Sequence, residues 1–142
     1  MEVHKTALVA HTAEHMFDLI EAAEHYPQFL PWCSAATILE RTDDVVVARI
    51  VISYRGVKFD FVTRNPKRRP EWMAVDLEQG PFRRFAGDWQ LRPLQDLGCK
   101  IEFRLRLRFG GRFGRNDGRS GSRCVLLGLR LLGFLLALRP SR

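Results

Sequence analysis

Between Val46 and Arg108 the chain repeatedly places an apolar side chain at every second position, and this period of two constrains its fold more than any other feature. Ile101, Phe103, Leu105 and Leu107 alternate with Glu102, Arg104, Arg106 and Arg108. Val46, Ala48, Ile50, Ile52 and Tyr54 alternate in the same way, and Arg55-Gly56 supplies a turn into Val57, Phe59 and Phe61. Met73, Val75 and Leu77 form a further run, and Phe85, Gly87, Trp89 and Leu91 another. Successive side chains of an extended strand point to opposite faces, so each run is a strand with one face in apolar surroundings and the other in water. Val3 to Val9 reads as a strand too, and six or seven such strands joined by short turns make one curved antiparallel sheet.

A sheet with one apolar face must cover it. Thr12 is a good N-cap for a helix with Glu14 in its first turn, and Met16, Phe17, Ile20 and Ala23 recur at helical spacing. Tyr26-Pro27 should end this helix, because the residue before a proline is pushed out of helical geometry. One short turn over Gln28–Leu30 then precedes Pro31, and Asn65 to Pro70 reads as a basic, proline-bounded loop. A helix of about three turns is too small to cover the sheet alone, so the plan needs a long C-terminal helix. A length of 142 residues is that of one domain.

The segment Tyr26-Pro27-Gln28-Phe29-Leu30-Pro31-Trp32-Cys33 resembles the YPxFLPxC signature of the RatA and coenzyme Q-binding family, part of the START-like, or polyketide cyclase/dehydrase, superfamily. Further matches are Thr6-Ala7-Leu8-Val9, Gly80-Pro81-Phe82, Gly87-Asp88-Trp89 and Cys99-Lys100-Ile101-Glu102-Phe103, in the right order over residues 3–108. The resemblance implies an α+β helix-grip fold: a curved antiparallel sheet of about seven strands, with N-terminal helices and a C-terminal helix, enclosing an apolar cavity. It also implies non-enzymatic binding of a polyprenyl quinone such as ubiquinone, or a similar lipid, in support of respiration or quinone biosynthesis. The alternative is the toxin branch of the family, which blocks association of ribosomal subunits and would meet the large subunit. DNA is not an expected partner.

Ten residues are the expected cavity set: Phe29, Leu30, Trp32, Tyr54, Phe59, Phe61, Val75, Leu77, Phe85 and Trp89. Each has a plainer reading as core filling. Phe29, Leu30 and Trp32, held between two prolines, form either a rigid lip at the cavity mouth or a plug for one end of the sheet. Tyr54 and Trp89 can offer an O–H and an N–H to a polar head group. No catalytic residue is expected. Asp60, Asp76 and Asp88 fall on the outward register, and nothing marks a base for Cys33. His11 and His15 have helical metal-pair spacing without a third ligand nearby, so neither a metal nor a resident cofactor is expected. Three cysteines, Cys33, Cys99 and Cys124, lack CxxC spacing and fit a reducing compartment. No signal-peptide pattern opens the chain. The expected location is the cytoplasm, with peripheral membrane contact as a further option.

The net charge of +7 is unevenly spread. Residues 1–108 carry 16 basic and 15 acidic side chains, whereas residues 109–142 carry seven arginines and the single acid Asp117. Within the body, Arg64 and Lys67-Arg68-Arg69 form a basic cluster suited to anionic lipid or ribosomal RNA, or simply to solvent. The chain thus divides into residues 1–109, the sheet with its N-terminal helices, and residues 110–142, an atypical tail in the place of the C-terminal helix. Seven of the eleven glycines fall in this tail, and its 14-residue apolar run from Val125 to Leu138 is interrupted by Arg130 and two glycines. That run is too short to span a bilayer comfortably and lacks a polar face. Two origins fit: a divergent native tail, or a shifted reading frame near residue 109 in a GC-rich gene. One nucleotide downstream, codons for Asn116–Gly121 can encode Thr-Met-Val-Gly-Pro-Val, closer to a family-like helix. Without a covering helix the sheet would expose apolar surface and lose stability.

Overall fold

The computed structural model describes residues 2–54 and 56–109. The tail, residues 110–142, lies outside them, as do the side chains of Tyr54, Val57 and Phe109.

Alternation builds the sheet as expected. Strand β1 (Glu2–Val9) is followed by helix α1 (Ala13–Glu21) and a 3-10 turn (Ala23–Gln28). Six strands then run consecutively: β2 (Cys33–Arg41), β3 (Val45–Tyr54), β4 (Val57–Arg68), β5 (Trp72–Gln79), β6 (Phe82–Pro93) and β7 (Cys99–Phe109). They form one seven-stranded antiparallel sheet in the order β1-β7-β6-β5-β4-β3-β2. Chain-adjacent strands pair as hairpins, and β1 closes against β7, so β1 and β2 are the two edges.

Helix α1 starts where the sequence places it: the Thr12 hydroxyl accepts from the His15 amide at 3.1 Å. It ends earlier than Tyr26-Pro27. Ala22 leaves helical geometry at ψ 58°, and Tyr26-Pro27 lies inside the 3-10 turn that follows. The Tyr26 hydroxyl donates back to the Ile20 carbonyl, which holds the turn against the end of α1 and satisfies a helix-terminal acceptor. Burial pushes the Tyr26 phenol well above its ordinary range, so it stays a neutral donor.

Phe17 and Met16 on α1 are essentially inaccessible and pack with Trp89, Ile101, Phe103 and Leu105. A side chain buried to this degree stabilises by roughly 1.5–3 kcal/mol. A second cluster joins Leu30, Trp32 and Cys33 to Ala48, Ile50 and Ile52 on β3. Two glycines allow close backbone approach. A Cβ on Gly87 would sit 2.2 Å from the Arg104 carbonyl oxygen, and Gly98, at φ +113°, leaves only 1.9 Å to the Val9 carbonyl.

The basic segment read as a loop is mostly strand. β4 continues through Arg68, with Pro66 opposite Val45 near the end of the ladder. Lys67 N–H still donates to Asp44 O at 2.9 Å, so the proline interrupts the pairing for one residue only.

Candidate functional site

The sheet curves around a cavity of about 130 Å³ closed on one side by α1 and the 3-10 turn. The helical side contributes Ile20, Glu21, Ala23 and Tyr26, with Trp32 beyond them. β3 contributes Val46, Ala48, Ile50 and Ile52, and β4 contributes Phe59, Phe61, Thr63 and Asn65. Met73 and Val75 come from β5, Phe82, Phe85 and Trp89 from β6, and Phe103, Leu105 and Leu107 from β7.

The lining has two poles. At one, Phe59, Phe61, Phe82 and Phe85 form an aromatic cluster: Phe82 meets Phe85 at 5.0 Å between ring centroids and Phe61 edge-on at 5.5 Å. These are the favoured offset and T-shaped arrangements. At the other lie Thr63, Asn65 and Glu21. From Phe59 to Asn65 the strand advances ~20 Å, so the polarity changes over the cavity's length. Among the described residues two side-chain atoms of the lining are buried without a hydrogen-bond partner, Trp32 Nε1 and Asn65 Oδ1. The Asn65 amide donates weakly to Met73 Sδ at 3.8 Å.

The polar pole is bounded by a charge clamp. Lys67 Nζ donates to Glu21 Oε1, with side chains only 6% and 14% exposed. Arg41 on β2 reaches Glu21 at 3.3 Å and holds both oxygens of Glu24 at 3.1 and 2.7 Å. Arg69 holds Asp18 with two bonds of 2.8 and 3.0 Å. The Arg69 hydrogen bond holds the Asp18 carboxyl below its ordinary value, and the Arg41 hydrogen bond does the same for Glu24. Two strands thereby pin the helical cover. The basic cluster seen in sequence is therefore largely spent within the fold: Lys67, Arg69 and Arg64 (3.6 Å from Glu40) are ion-paired, and Arg68 has no ion pair among the described residues.

Of the ten expected cavity residues, Trp32, Phe59, Phe61, Val75, Phe85 and Trp89 are brought together in the lining. Leu30 is not a lip: it is wholly buried in the second core cluster, where it helps plug that end of the sheet. Phe29 packs beside it, edge-on to Tyr26 at 5.9 Å, and does not line the cavity. Leu77 shares the inner face, opposite Thr63, but sits outside the lining. The side chain of Tyr54 lies outside the described residues. The lining residues β7 contributes were legible from the same alternation. Phe82 was hidden by a bulge between Phe82 and Arg84, which lets Phe82 and Phe85 both face inward despite their odd spacing.

Asp60 and Asp76 are exposed on the outer face, and Asp88 there accepts from Gln90 at 2.9 Å. Cys33 is 3% exposed, and burial pushes its thiol up to about 11, away from nucleophilic use at neutral pH. Among the described residues no cluster of three or more His, Cys, Asp or Glu is placed to hold a metal ion. No helix among them is long and apolar enough to cross a membrane.

Residues 9–126 match the family described as polyketide cyclase/dehydrase and lipid transport. The chain belongs to this family. Its curated relatives include the ribosome association toxin RatA of Escherichia coli K12, 37% identical over 108 residues that cover 76% of this chain and 68% of that one. The same-named protein of Vibrio cholerae is 36% identical over 78% of this chain and 77% of the relative. Solved structures confirm the START-like helix-grip fold. A START superfamily protein from Mycobacterium smegmatis superposes with a TM-score of 0.74 at 21% identity, covering 95% of this chain and 93% of the other. A Streptomyces aromatase/cyclase does so at 0.72 and 19%, covering 96% and 91%. The lipid-transport and cyclase names show how one fold hosts several activities.

Proposed function

We propose that this protein is a RatA-type, non-enzymatic ribosome-directed factor of the cytoplasm, which binds the large ribosomal subunit and hinders its association with the small one. The observation that carries this reading is 37% identity across 108 residues to a protein named a ribosome association toxin. The cavity agrees with it. At about 130 Å³ it is smaller than the roughly 300–1,000 Å³ of sites that enclose drug-sized ligands. Among the described residues no acid/base pair faces it: Glu21 is the only carboxylate they bring to the lining and is held by Lys67 and Arg41.

The test is reassociation of purified subunits on a sucrose gradient. Stoichiometric protein should shift material from the intact-ribosome peak to the subunit peaks, with the protein travelling on the large subunit. An unchanged profile, with the protein left at the top, would refute the reading.

A second reading is favoured by the aromatic pole and the unpartnered Trp32 Nε1 and Asn65 Oδ1: the cavity holds the head group of an apolar ligand such as a polyprenyl quinone. Organic extraction of the purified protein with mass spectrometry decides it. A stoichiometric quinone supports lipid carriage, and its absence from folded protein removes that role.

A further inference from the structure

The outer face of the β6–β7 ladder carries an arrangement that the fold itself does not need. The bulge that turns Phe82 and Phe85 inward leaves Arg83 and Arg84 both exposed. Arg84 lies directly opposite Arg108, which is also exposed. Like charges facing each other across a ladder destabilise it. None of these three arginines has a carboxylate partner among the described residues. A local rule broken without a structural return is expected at a functional surface.

From Arg108 the row continues along β7 through Arg106 and Arg104, at steps of ~6.8 Å. Acids are present further along the row. Glu2 holds Arg106 at 2.6 Å, Glu102 holds Arg104 at 2.8 Å, and Asp88 lies opposite Arg104. Asp76 and Glu78 on the neighbouring strand make no ion pair with the cluster. Apart from the Arg92–Lys100 pair at the far end of the ladder, the uncompensated positive charge is therefore greatest at the Arg83–Arg84–Arg108 end, where three cations gather.

We propose that this end of the β6–β7 outer face docks the phosphate backbone of RNA. Naming RNA rests on the ribosome-directed reading, and the charge pattern supplies the rest. Guanidinium groups match phosphate oxygens with paired donors, and a compact cluster of three cations suits the closely spaced charges of a polynucleotide backbone. A bilayer surface fits less well, because stable docking there draws on apolar side chains that enter the interface beside the basic ones. Among the described residues around the arginine cluster the outer face offers only Ala86, while the exposed Leu8 and Leu97 lie at the opposite end of the ladder, beside Lys100.

The experiment uses the full chain and deproteinised large-subunit RNA, with affinity measured from about 50 to 200 mM salt. The double variant Arg84→Glu/Arg108→Glu is compared with Arg92→Glu/Lys100→Glu, an equal charge change at the other end of the same ladder. Arg84→Gln/Arg108→Gln provides a milder pair, and circular dichroism checks that each protein is folded. The Arg84/Arg108 reversal should weaken binding about tenfold or more and reduce the salt slope by about two, with the control pair changing affinity less than about threefold.

Equal losses in both pairs would overturn the proposal, as would no loss at Arg84/Arg108 or wild-type protein that ignores RNA. Binding to phosphatidylserine vesicles but not RNA, lost in the same variant, would assign the surface to lipid instead. Wild-type protein that blocks subunit association while Arg84/Arg108 variants keep full RNA affinity would leave the ribosome reading standing and remove this surface. RNA binding through this end without any effect on subunit association would do the reverse.

Discussion

The two faces of the central sheet are made from the same strands, yet they obey different rules. On the inner face of β6 and β7, Phe85, Trp89, Phe103, Leu105 and Leu107 pack into the cavity wall and core. One residue over, on the outer face, Arg84 opposes Arg108 and Arg92 opposes Lys100, pairings that cost stability. The inner face therefore specifies the fold, and much of the outer face is free of that duty.

This contrast can be broken or sharpened by substitution. The largest effect belongs to the inner face. Trp89 and Phe103 are 5% and 4% exposed, with ring centroids 4.3 Å apart, so Phe103→Ala should cost about 3–5 kcal/mol in urea unfolding. A loss under about 1 kcal/mol would mean that the inner face is not the core.

The clamp comes next. Lys67→Met leaves the mostly buried Glu21 with Arg41 as its remaining partner and should cost up to about 3 kcal/mol. Adding Glu21→Leu should recover most of that in the double variant, unless Arg41 rather than Lys67 is the partner that matters.

A smaller effect concerns pH. Asp18 and Glu24 have folded-state values below their ordinary ones, so their contribution is complete above about pH 4–5 and is lost as pH falls through the depressed values. Denaturant midpoints measured down through that range should fall for the parent chain and fall less for Arg69→Ala, whose Asp18 has lost its partner. Parallel curves would show the clamp to be silent.

The smallest effect on stability belongs to the outer face. Arg84→Ala should change unfolding by no more than about 0.5 kcal/mol, in the stabilising direction, because it removes a like-charge opposition. A loss above 1 kcal/mol would make Arg84 structural.

Much of the fold was legible because alternation is a property of single strands. β3, β5, β6 and β7 could be read directly, as could the Thr12 cap. The edge strand β2 was not, since Ser34, Ala35, Ala36 and Thr37 carry little apolar contrast and one edge of the strand has no neighbour. The cavity was legible in part. Six of the ten expected residues line it, but Phe82 depended on a bulge that no pattern of period two contains. For Leu30 and Phe29 lip and plug stayed open, because a proline-bounded apolar segment reads alike as both, and the structure packs them into the second cluster. Charge was the least legible. A body with 16 basic and 15 acidic residues looks neutral, and only strand register shows Lys67, Arg69 and Arg41 bound into ion pairs while Arg83, Arg84 and Arg108 gather on one surface.

The central claim is that the outer face, and not the cavity, meets the ribosome. Co-sedimentation with large subunits of two folded variants tests it most directly: Arg84→Glu/Arg108→Glu on the outer face, and Val75→Phe, which fills part of the cavity. The first variant should leave the subunit peak and the second should stay with it at the parent level. Loss of binding by Val75→Phe, with the arginine variant unaffected, would contradict it and make the cavity the working surface.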